Sequence, residues 1–240
     1  MSKASLSSGP TGFGRRESKD AVIYEHLYKA IVEHHLEPGT RLPEDVLADN
    51  YKVSRTSVRK VLQALAHDKL VDIRMHYGAS VAQPSIKDAR DLFATRRIVE
   101  VGVMADVIKH ASTDKWHEIE DIVRQEDAAV AANDRRRSIY LSGLFHVRLA
   151  RLSGNDVLAD LLEDLVARTS LVIATFGGPQ SCSCPPSQHH EILNLLRQHD
   201  IAAAQQWMES HLLDIERSVI LERHDVDTLD LKAILKRVDQ

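Results

Sequence analysis

The chain has 240 residues, of which 43% are hydrophobic, 28% are charged and only 10 are glycine. This length allows one large domain or two modest ones, with a sizeable core. The scarcity of glycine disfavours glycine-rich nucleotide-binding loops and turn-rich β architectures, and no apolar run approaches the ~20 residues of a membrane span. Cys182 and Cys184 are too few and too close for a disulfide framework, and no signal peptide is visible, so we expect a cytoplasmic protein with a disordered tail over residues 1–18.

The formal net charge of −4 hides an uneven distribution. Residues 1–84 carry 12 Lys/Arg against 10 Asp/Glu, so the rest of the chain holds the acidic excess. No acid occurs between Asp49 and Asp68. This gap contains four basic residues: Lys52, Arg55, Arg59 and Lys60. Four positive charges on about one short helix indicate either a solvated helix face or a surface that contacts nucleic-acid phosphates.

Residues 19–84 predict a winged helix-turn-helix. Apolar residues at helical spacing, capping residues and a Pro-Gly stop signal define three helices. These helices run from the N-cap Asp20 to about His35, from Pro43 to Ala48, and from Arg55, behind the cap Ser54, to about His67. A hairpin follows, with strands over Leu70–Arg74 and Ala79–Ala82 and a tip over Met75–Gly78.

The third helix supplies the candidate DNA contacts, because the N-terminal part of the second helix of such a motif enters the major groove. Arginines there pair with guanine edges or with phosphates. The candidates on this helix are Ser54, Arg55, Thr56, Arg59 and Lys60. At the hairpin tip, His76 and Gly78 are placed to reach the minor groove or the DNA backbone.

The stretch over residues 36–71 resembles the DNA-binding domain of the GntR family of bacterial transcriptional regulators. The family signature is matched at Pro38, Gly39, Leu42, Pro43, Glu44, Val53, Ser54, Arg55, Thr56, Val58 and Arg59. Two departures are mild: Ser57 stands for the usual proline, and Lys60-Val61 stands for the usual Glu-Ala. The resemblance implies that the partner is a double-stranded DNA operator.

Residues 85–226 predict an all-α antiparallel helical bundle, so the protein as a whole is expected to be mainly α. Helical periodicity covers Ile86–His110, Asp114–Ala132, Asp134–Leu152, Asn155–Phe176, Ser187–His199 and Ile201–Glu222. A last amphipathic helix is expected over residues 227–240. Acidic residues such as Asp160, Asp164 and Glu191 are expected on solvated helix faces.

Three histidines of this bundle lie at the edges of apolar helical patterns: His146, His189 and His211. A single inward histidine is usually an ordinary core residue. Three that converge suit a divalent transition metal, since neutral imidazoles bind Zn, Ni, Cu and Fe. Spacing alone leaves the two interpretations open.

Residues 88–223 resemble the FCD domain, the ligand-sensing, dimerising domain of the FadR branch of the same family. The resemblance rests on Arg96, Arg97 and Glu100, on the segment FHVRLARLSGN, on His189, Ile192 and Leu193, and on Asp200 followed by His211-Leu212. It implies that the three histidines bind a divalent metal next to a small carboxylate, and we expect this metal to be Zn or Ni. Many such domains add an aspartate one turn before the first histidine, where this chain has Ser142.

The resemblance also nominates effector contacts. Arg96 is a candidate for the carboxylate of the effector, because a guanidinium binds two oxygens at once; the alternative is an i,i+4 pair with Glu100. Ser142 occupies the position at which many such domains have an aspartate ligand. Asn155 is either an effector contact or the cap of the next helix.

Together these features predict a homodimeric, ligand-responsive DNA-binding regulator, expected to be a repressor, and not an enzyme. An alternative is a metal sensor in which the ion itself is the signal. A metal-dependent enzyme is disfavoured, because no acid stands in a general-base register with the histidines, such as His-Glu-x-x-His.

Overall fold

The computed structural model describes residues 18–111, 113–177 and 188–224, which are mainly helical with one two-stranded sheet. The predicted helix over 227–240, the tail over 1–17 and the cysteine pair at 182 and 184 lie outside the described residues. Among the described helices, none is both long and apolar enough to cross a membrane.

The N-terminal unit is a winged helix-turn-helix. Its elements are α1 (Lys19–Val32), α2 (Glu44–Tyr51), α3 (Arg55–His67), β1 (Val71–Arg74) and β2 (Gly78–Val81). The buried face of α3, formed by Val58, Val61, Leu62 and Leu65, packs against α1. The two strands pair antiparallel from Val71↔Val81 to Arg74↔Gly78, which completes the wing.

Several helix ends in this unit differ from the prediction. Helix α1 ends at Val32 and not near His35, and Pro43 is the N-cap of α2 and not part of its first turn. The cap of α1 is Ser18, whose hydroxyl accepts from the Ala21 N–H at 3.1 Å, whereas Asp20 lies in the first turn. The Asp20 carboxylate accepts a hydrogen bond from the Ser57 hydroxyl and so ties α1 to α3. The second helix continues past Ala48, because Lys52 adopts a left-handed conformation, with φ of 53°, only after Tyr51.

The C-terminal unit is a bundle of helices. It contains α4 (Ile86–His110), α5 (Thr113–Ala131), α6 (Arg135–Arg151), α7 (Asp156–Phe176), α8 (Gln188–Arg197) and α9 (Ile201–His224). Helix α4 packs along α9, and α6 packs between α5 and α7. Ser85 and Asp88 form a capping box that fixes the start of α4 directly after the wing.

The two units contact each other through α1 and α7. His34, which follows α1, is buried, and its Nε2 atom donates to the main-chain carbonyl of Ser170 at 2.9 Å. Near the other end of this contact, Tyr24 donates to Asp68 at 2.5 Å. Asp164 of α7 lies close enough to Asp68 for the two carboxyl groups to interact electrostatically. Acidic groups of both units therefore lie near each other at this contact.

Asp164 therefore does not sit on an ordinary solvated face. Burial raises the pKa of this carboxyl to about 6, and the nearby charges of Asp68 and Asp160 add to the increase, while Arg168 and His67 oppose it. Glu163 beside it, which Arg151 contacts at 3.0 Å, also has a pKa raised by burial to about 6.

We expect Asp164 to make the protein less stable as pH rises from about 4 to about 6. Its raised pKa means that the folded state binds more protons than the unfolded state in this window, so the free energy of unfolding falls with pH. Asp164→Asn removes this titration and flattens the dependence. Urea unfolding midpoints of both proteins, measured between pH about 4 and about 7, provide the comparison; a constant difference across the series contradicts the assignment.

Candidate functional site

The first turns of α3 present the predicted DNA contacts to solvent. Ser54, Arg55, Thr56, Arg59 and Lys60 are all exposed. The hydroxyl of Ser54 caps the helix by accepting from the Ser57 N–H at 3.2 Å. Arg55 and Arg59 lie one turn apart, as do Thr56 and Lys60, so these side chains form one polar surface along the helix.

Arg59 on this surface is already engaged. Its Nε and Nη2 atoms donate to the two carboxylate oxygens of Glu44 at 2.9 and 2.6 Å. This hydrogen bonding lowers the pKa of Glu44. This bidentate pair joins α2 to α3. The N–H groups of the guanidinium that do not contact Glu44 are the ones that the predicted DNA contact would use.

The tip of the wing is exposed and tightly turned. His76 and Gly78 adopt left-handed conformations, with φ of 66° and 80°. Met75 and Tyr77, which the sequence did not nominate, are 83% and 73% exposed. These two large, exposed side chains extend the candidate DNA-binding surface from α3 to the tip of the wing.

Three histidines from three helices meet inside the C-terminal bundle. His146 on α6, His189 on α8 and His211 on α9 are 2%, 3% and 5% exposed. Each offers one ring nitrogen, and these three atoms lie within 4.8 Å of one another. The structure thus brings together the three residues whose convergence the sequence left open.

Each imidazole has a side-chain oxygen close to its Nδ1 atom. For His189 and His211 this contact is a hydrogen bond, whereas for His146 it is a close ion-pair contact without hydrogen-bond geometry. The Nδ1 atoms of His146, His189 and His211 lie 2.5 Å from Glu100 Oε2, 2.6 Å from Glu126 Oε2 and 3.1 Å from Gln188 Oε1, respectively. A proton on Nδ1 leaves the lone pair on Nε2. The three Nε2 atoms are buried and have no hydrogen-bond partner within the described part of the chain.

Aromatic rings hold two of these imidazoles in place. Phe145 stacks on His189 with ring centroids 4.0 Å apart, and Trp207 stacks on His211 at 4.7 Å. The indole Nε1 of Trp207 donates to the Glu191 carboxylate at 3.0 Å. Glu191 is therefore not only a solvated acid, because it hydrogen-bonds the ring that stacks on His211. The imidazoles are therefore rigidly packed before any ligand arrives.

Burial also sets the protonation of the cluster. Desolvation lowers the pKa of His146 and of His211. Burial disfavours the charged form of Glu100, but Arg96 and His146 outweigh it, and its pKa falls to about 2. These shifts favour the neutral form of His146 and His211, which is the form that ligates metals, next to an ionised carboxylate behind His146.

These residues fit a divalent metal. The observation that decides the fit is the set of three buried, unpaired Nε2 atoms, because such atoms usually find a partner. A set of three histidines is sufficient for zinc in other proteins and keeps a coordination position open. Ser142, one turn before His146, brings no anionic ligand.

A pocket with a cavity volume of about 40 Å³ adjoins His146; neither His189 nor His211 lines it. Its polar lining includes Arg96, Ser142, His146, Thr169 and Ser170. Its apolar wall includes Val32 from α1, so the DNA-binding unit forms part of the pocket.

Arg96 forms the i,i+4 pair that was one of the two alternatives for it, and its role as an effector contact stays a prediction. Its Nε atom donates to Glu100 at 2.6 Å, which is the expected i,i+4 pair, and both side chains are buried. Its Nη2 atom is buried at the pocket without a hydrogen-bond partner among the described residues. One edge of the guanidinium is therefore structural, and the other remains available to a ligand.

Asn155 is not part of this site. Its side-chain oxygen accepts from the Leu158 N–H at 3.1 Å and caps α7, and it does not line the pocket. The capping alternative for Asn155 is therefore the one that the structure shows.

Sequence reasoning missed Glu126 and Gln188, the acceptors behind His189 and His211. A signal for Glu126 existed, because it continues the buried stripe of α5 formed by Ile119, Ile122 and Val123. A carboxylate on an apolar stripe needs a partner. Nothing in the pattern of α5 identifies that partner as His189.

Comparisons with known proteins agree with this architecture. The FCD domain model matches residues 91–214, more than half of the chain, and the model of bacterial regulatory proteins of the gntR family matches residues 19–81. The chain belongs to the GntR family. It is a DNA-binding transcriptional regulator with an N-terminal winged helix-turn-helix and a C-terminal FCD domain.

Relatives of this GntR regulator are transcriptional regulators, not enzymes. The HTH-type transcriptional repressor RspR of Escherichia coli K12 is 26% identical over 198 residues, which cover 82% of this chain and 87% of RspR. An HTH-type transcriptional regulator in an unstable DNA locus of Streptomyces ambofaciens is 30% identical over 212 residues, 85% of this chain and 87% of the relative. The crystal structure of a GntR regulator from Rhodococcus sp. RHA1 shares the fold, with a TM-score of 0.77 and 24% identity. The match covers 84% of this chain and 97% of the Rhodococcus chain.

Replacing Arg55 by alanine should weaken binding to an operator selected from random duplexes by about 1–3 kcal/mol, because a bidentate arginine–guanine pair contributes that much discrimination. Arg59→Ala should also weaken binding and, in addition, release Glu44. Fluorescence anisotropy at fixed salt measures both effects. Arg90→Ala, an exposed arginine on α4, is the matched control, and unchanged affinity of the Arg55 variant would remove that residue from the interface.

Proposed function

We propose that this GntR regulator is a homodimeric repressor whose FCD domain binds a divalent transition metal through His146, His189 and His211, and a small organic acid beside it. The observation that carries the proposal is the group of three buried Nε2 atoms for which the described part of the chain offers no hydrogen-bond partner. A buried polar atom left unpaired costs about 1–3 kcal/mol. Three such atoms within one cluster are best explained by a shared ligand.

Zinc or nickel is the expected metal, since imidazoles suit both. When bound, the metal supplies a Lewis-acidic position that an effector carboxylate can occupy. The protein contributes the rest of the binding chemistry. Arg96, whose Nη2 atom is buried without a hydrogen-bond partner among the described residues, lines the pocket, and Ser142 lines it too.

The pocket also suggests how the effector acts on DNA binding. Val32 of α1 and Ser170 of α7 both line it, and the Ser170 carbonyl accepts from His34 of the N-terminal unit. An effector in the pocket therefore contacts the DNA-binding unit as well as the sensor. It shifts the orientation of that unit by as much as it binds the two arrangements with different affinity.

Repression is proposed from the relative RspR, which is described as a transcriptional repressor. A homodimer places two recognition helices on the two halves of a palindromic operator. A metal sensor is the second candidate, favoured by the same three histidines. The two differ in one measurement: in a metal sensor, metal alone changes the affinity for DNA, and organic acids leave the metal-loaded protein unaffected.

Metal binding should change the fluorescence of Trp207, which stacks on His211. We expect Zn²⁺ added to chelator-treated Trp116→Phe protein to alter the emission of Trp207 at one equivalent per chain. His211→Ala should abolish the change. Metal content by atomic absorption, before and after EDTA, is the independent measurement, and zero content in both with an unchanged melting temperature contradicts the site.

A carboxylate effector should raise the melting temperature of metal-loaded protein but not of Arg96→Gln. At 100 times its dissociation constant a ligand adds about 2.7 kcal/mol to stability. A thermal-shift screen of small mono- and dicarboxylates measures this. Arg97→Gln is the matched control, because Arg97 pairs with Glu216 and does not line the pocket; equal shifts in both variants would exclude Arg96 as the anion-binding group.

A further inference from the structure

The ligand set proposed above brings no negative charge to a divalent cation. All three donors are imidazoles, and Ser142 occupies the position one turn before His146. A buried cation that is not compensated by opposite charge is costly. The following inference rests on the proposed metal site. Before a carboxylate effector binds to that site, the compensating charge comes from residues behind the histidines.

Two carboxylates lie behind the histidines and can supply this negative charge. Glu100 contacts His146 and Glu126 contacts His189, each through a buried oxygen at the Nδ1 side of the ring. Their electrostatic situations differ. The charge of Glu100 is matched by Arg96, whose Nε lies 2.6 Å from its other oxygen. Within the described residues, the ion-pair partner of Glu126 is His189 alone.

We propose that Glu126 is a positioning residue that supplies the uncompensated negative charge of the metal site. It accepts the Nδ1–H of His189, fixes the ring with Nε2 toward the other two histidines, and raises the basicity of that nitrogen. Carboxylate–histidine pairs of this kind are a recurrent second layer of metal sites, and their loss typically lowers metal affinity 10–100-fold. Glu100, already paired with Arg96, contributes less charge.

The chain offers a matched control one residue further along both helices. Asp127 follows Glu126 on α5, and His190 follows His189 on α8. The Nε2 atom of His190 lies 2.8 Å from Asp127, yet the two side chains are 43% and 37% exposed. This second carboxylate–histidine pair joins the same helices outside the cluster, so it separates the effect on the metal from the effect on helix packing.

The test measures the dissociation constant of Zn²⁺ by competition with a chelating dye. Glu126→Gln keeps an acceptor for the Nδ1–H but removes the charge, and we expect its Zn²⁺ affinity to fall 10–100-fold. Asp127→Asn should bind Zn²⁺ as the wild type does. The visible absorption of bound Co²⁺ should keep its shape in Glu126→Gln but require more metal to saturate.

The outcomes separate this inference from the function it rests on. Wild-type protein that binds no Zn²⁺ overturns the metal site itself. Wild-type binding with equal affinity in Glu126→Gln overturns the role of Glu126 alone, as does an equal loss in Asp127→Asn. If Glu126→Gln does not fold, the shorter pair Glu126→Asp and Glu126→Asn gives the same comparison, and the aspartate variant should bind Zn²⁺ more tightly than the asparagine variant.

Discussion

The close contacts between three buried imidazoles and the oxygens beside their Nδ1 atoms are the constraint around which the C-terminal bundle is organised. The oxygens come from three elements: Glu100 on α4, Glu126 on α5 and Gln188 on α8. The imidazoles lie on α6, α8 and α9. Five helices therefore converge on one small polar cluster inside the bundle. Because polar contacts are directional, they fix the relative positions of these helices more strictly than apolar packing does.

Much of this arrangement was predictable from the sequence. The basic gap after Asp49, the cap at Ser54 and the apolar stripe of α3 predict the helix-turn-helix from local chemistry alone. The inward positions of His146, His189 and His211 follow from helical periodicity, because each interrupts an apolar stripe. Periodicity identifies the buried face of a helix, and these histidines lie on such faces.

The remainder depends on contacts between residues far apart in the chain. Glu126 and His189 are 63 positions apart, and no local pattern brings them together. The two arginines nominated as ligand contacts illustrate the difference. The pair of Arg96 with Glu100 was foreseeable because both lie on one helix, whereas that of Arg59 with Glu44 depends on how α2 crosses α3. Likewise, Ser18 and Asp20 are both good caps, and the contact of Asp20 with Ser57 decides between them.

The contribution of Val32 to the pocket wall has a consequence for the evolution of such regulators. Suppose that the DNA-binding unit is exchanged for that of a relative in order to change the operator. The exchange also replaces Val32, which lines the cavity, and His34, which donates to the Ser170 carbonyl. Under the proposed function, operator preference and effector preference are therefore not independently inherited traits. A recombinant that acquires a foreign N-terminal unit needs compensating substitutions along α7 before it regains a matched response.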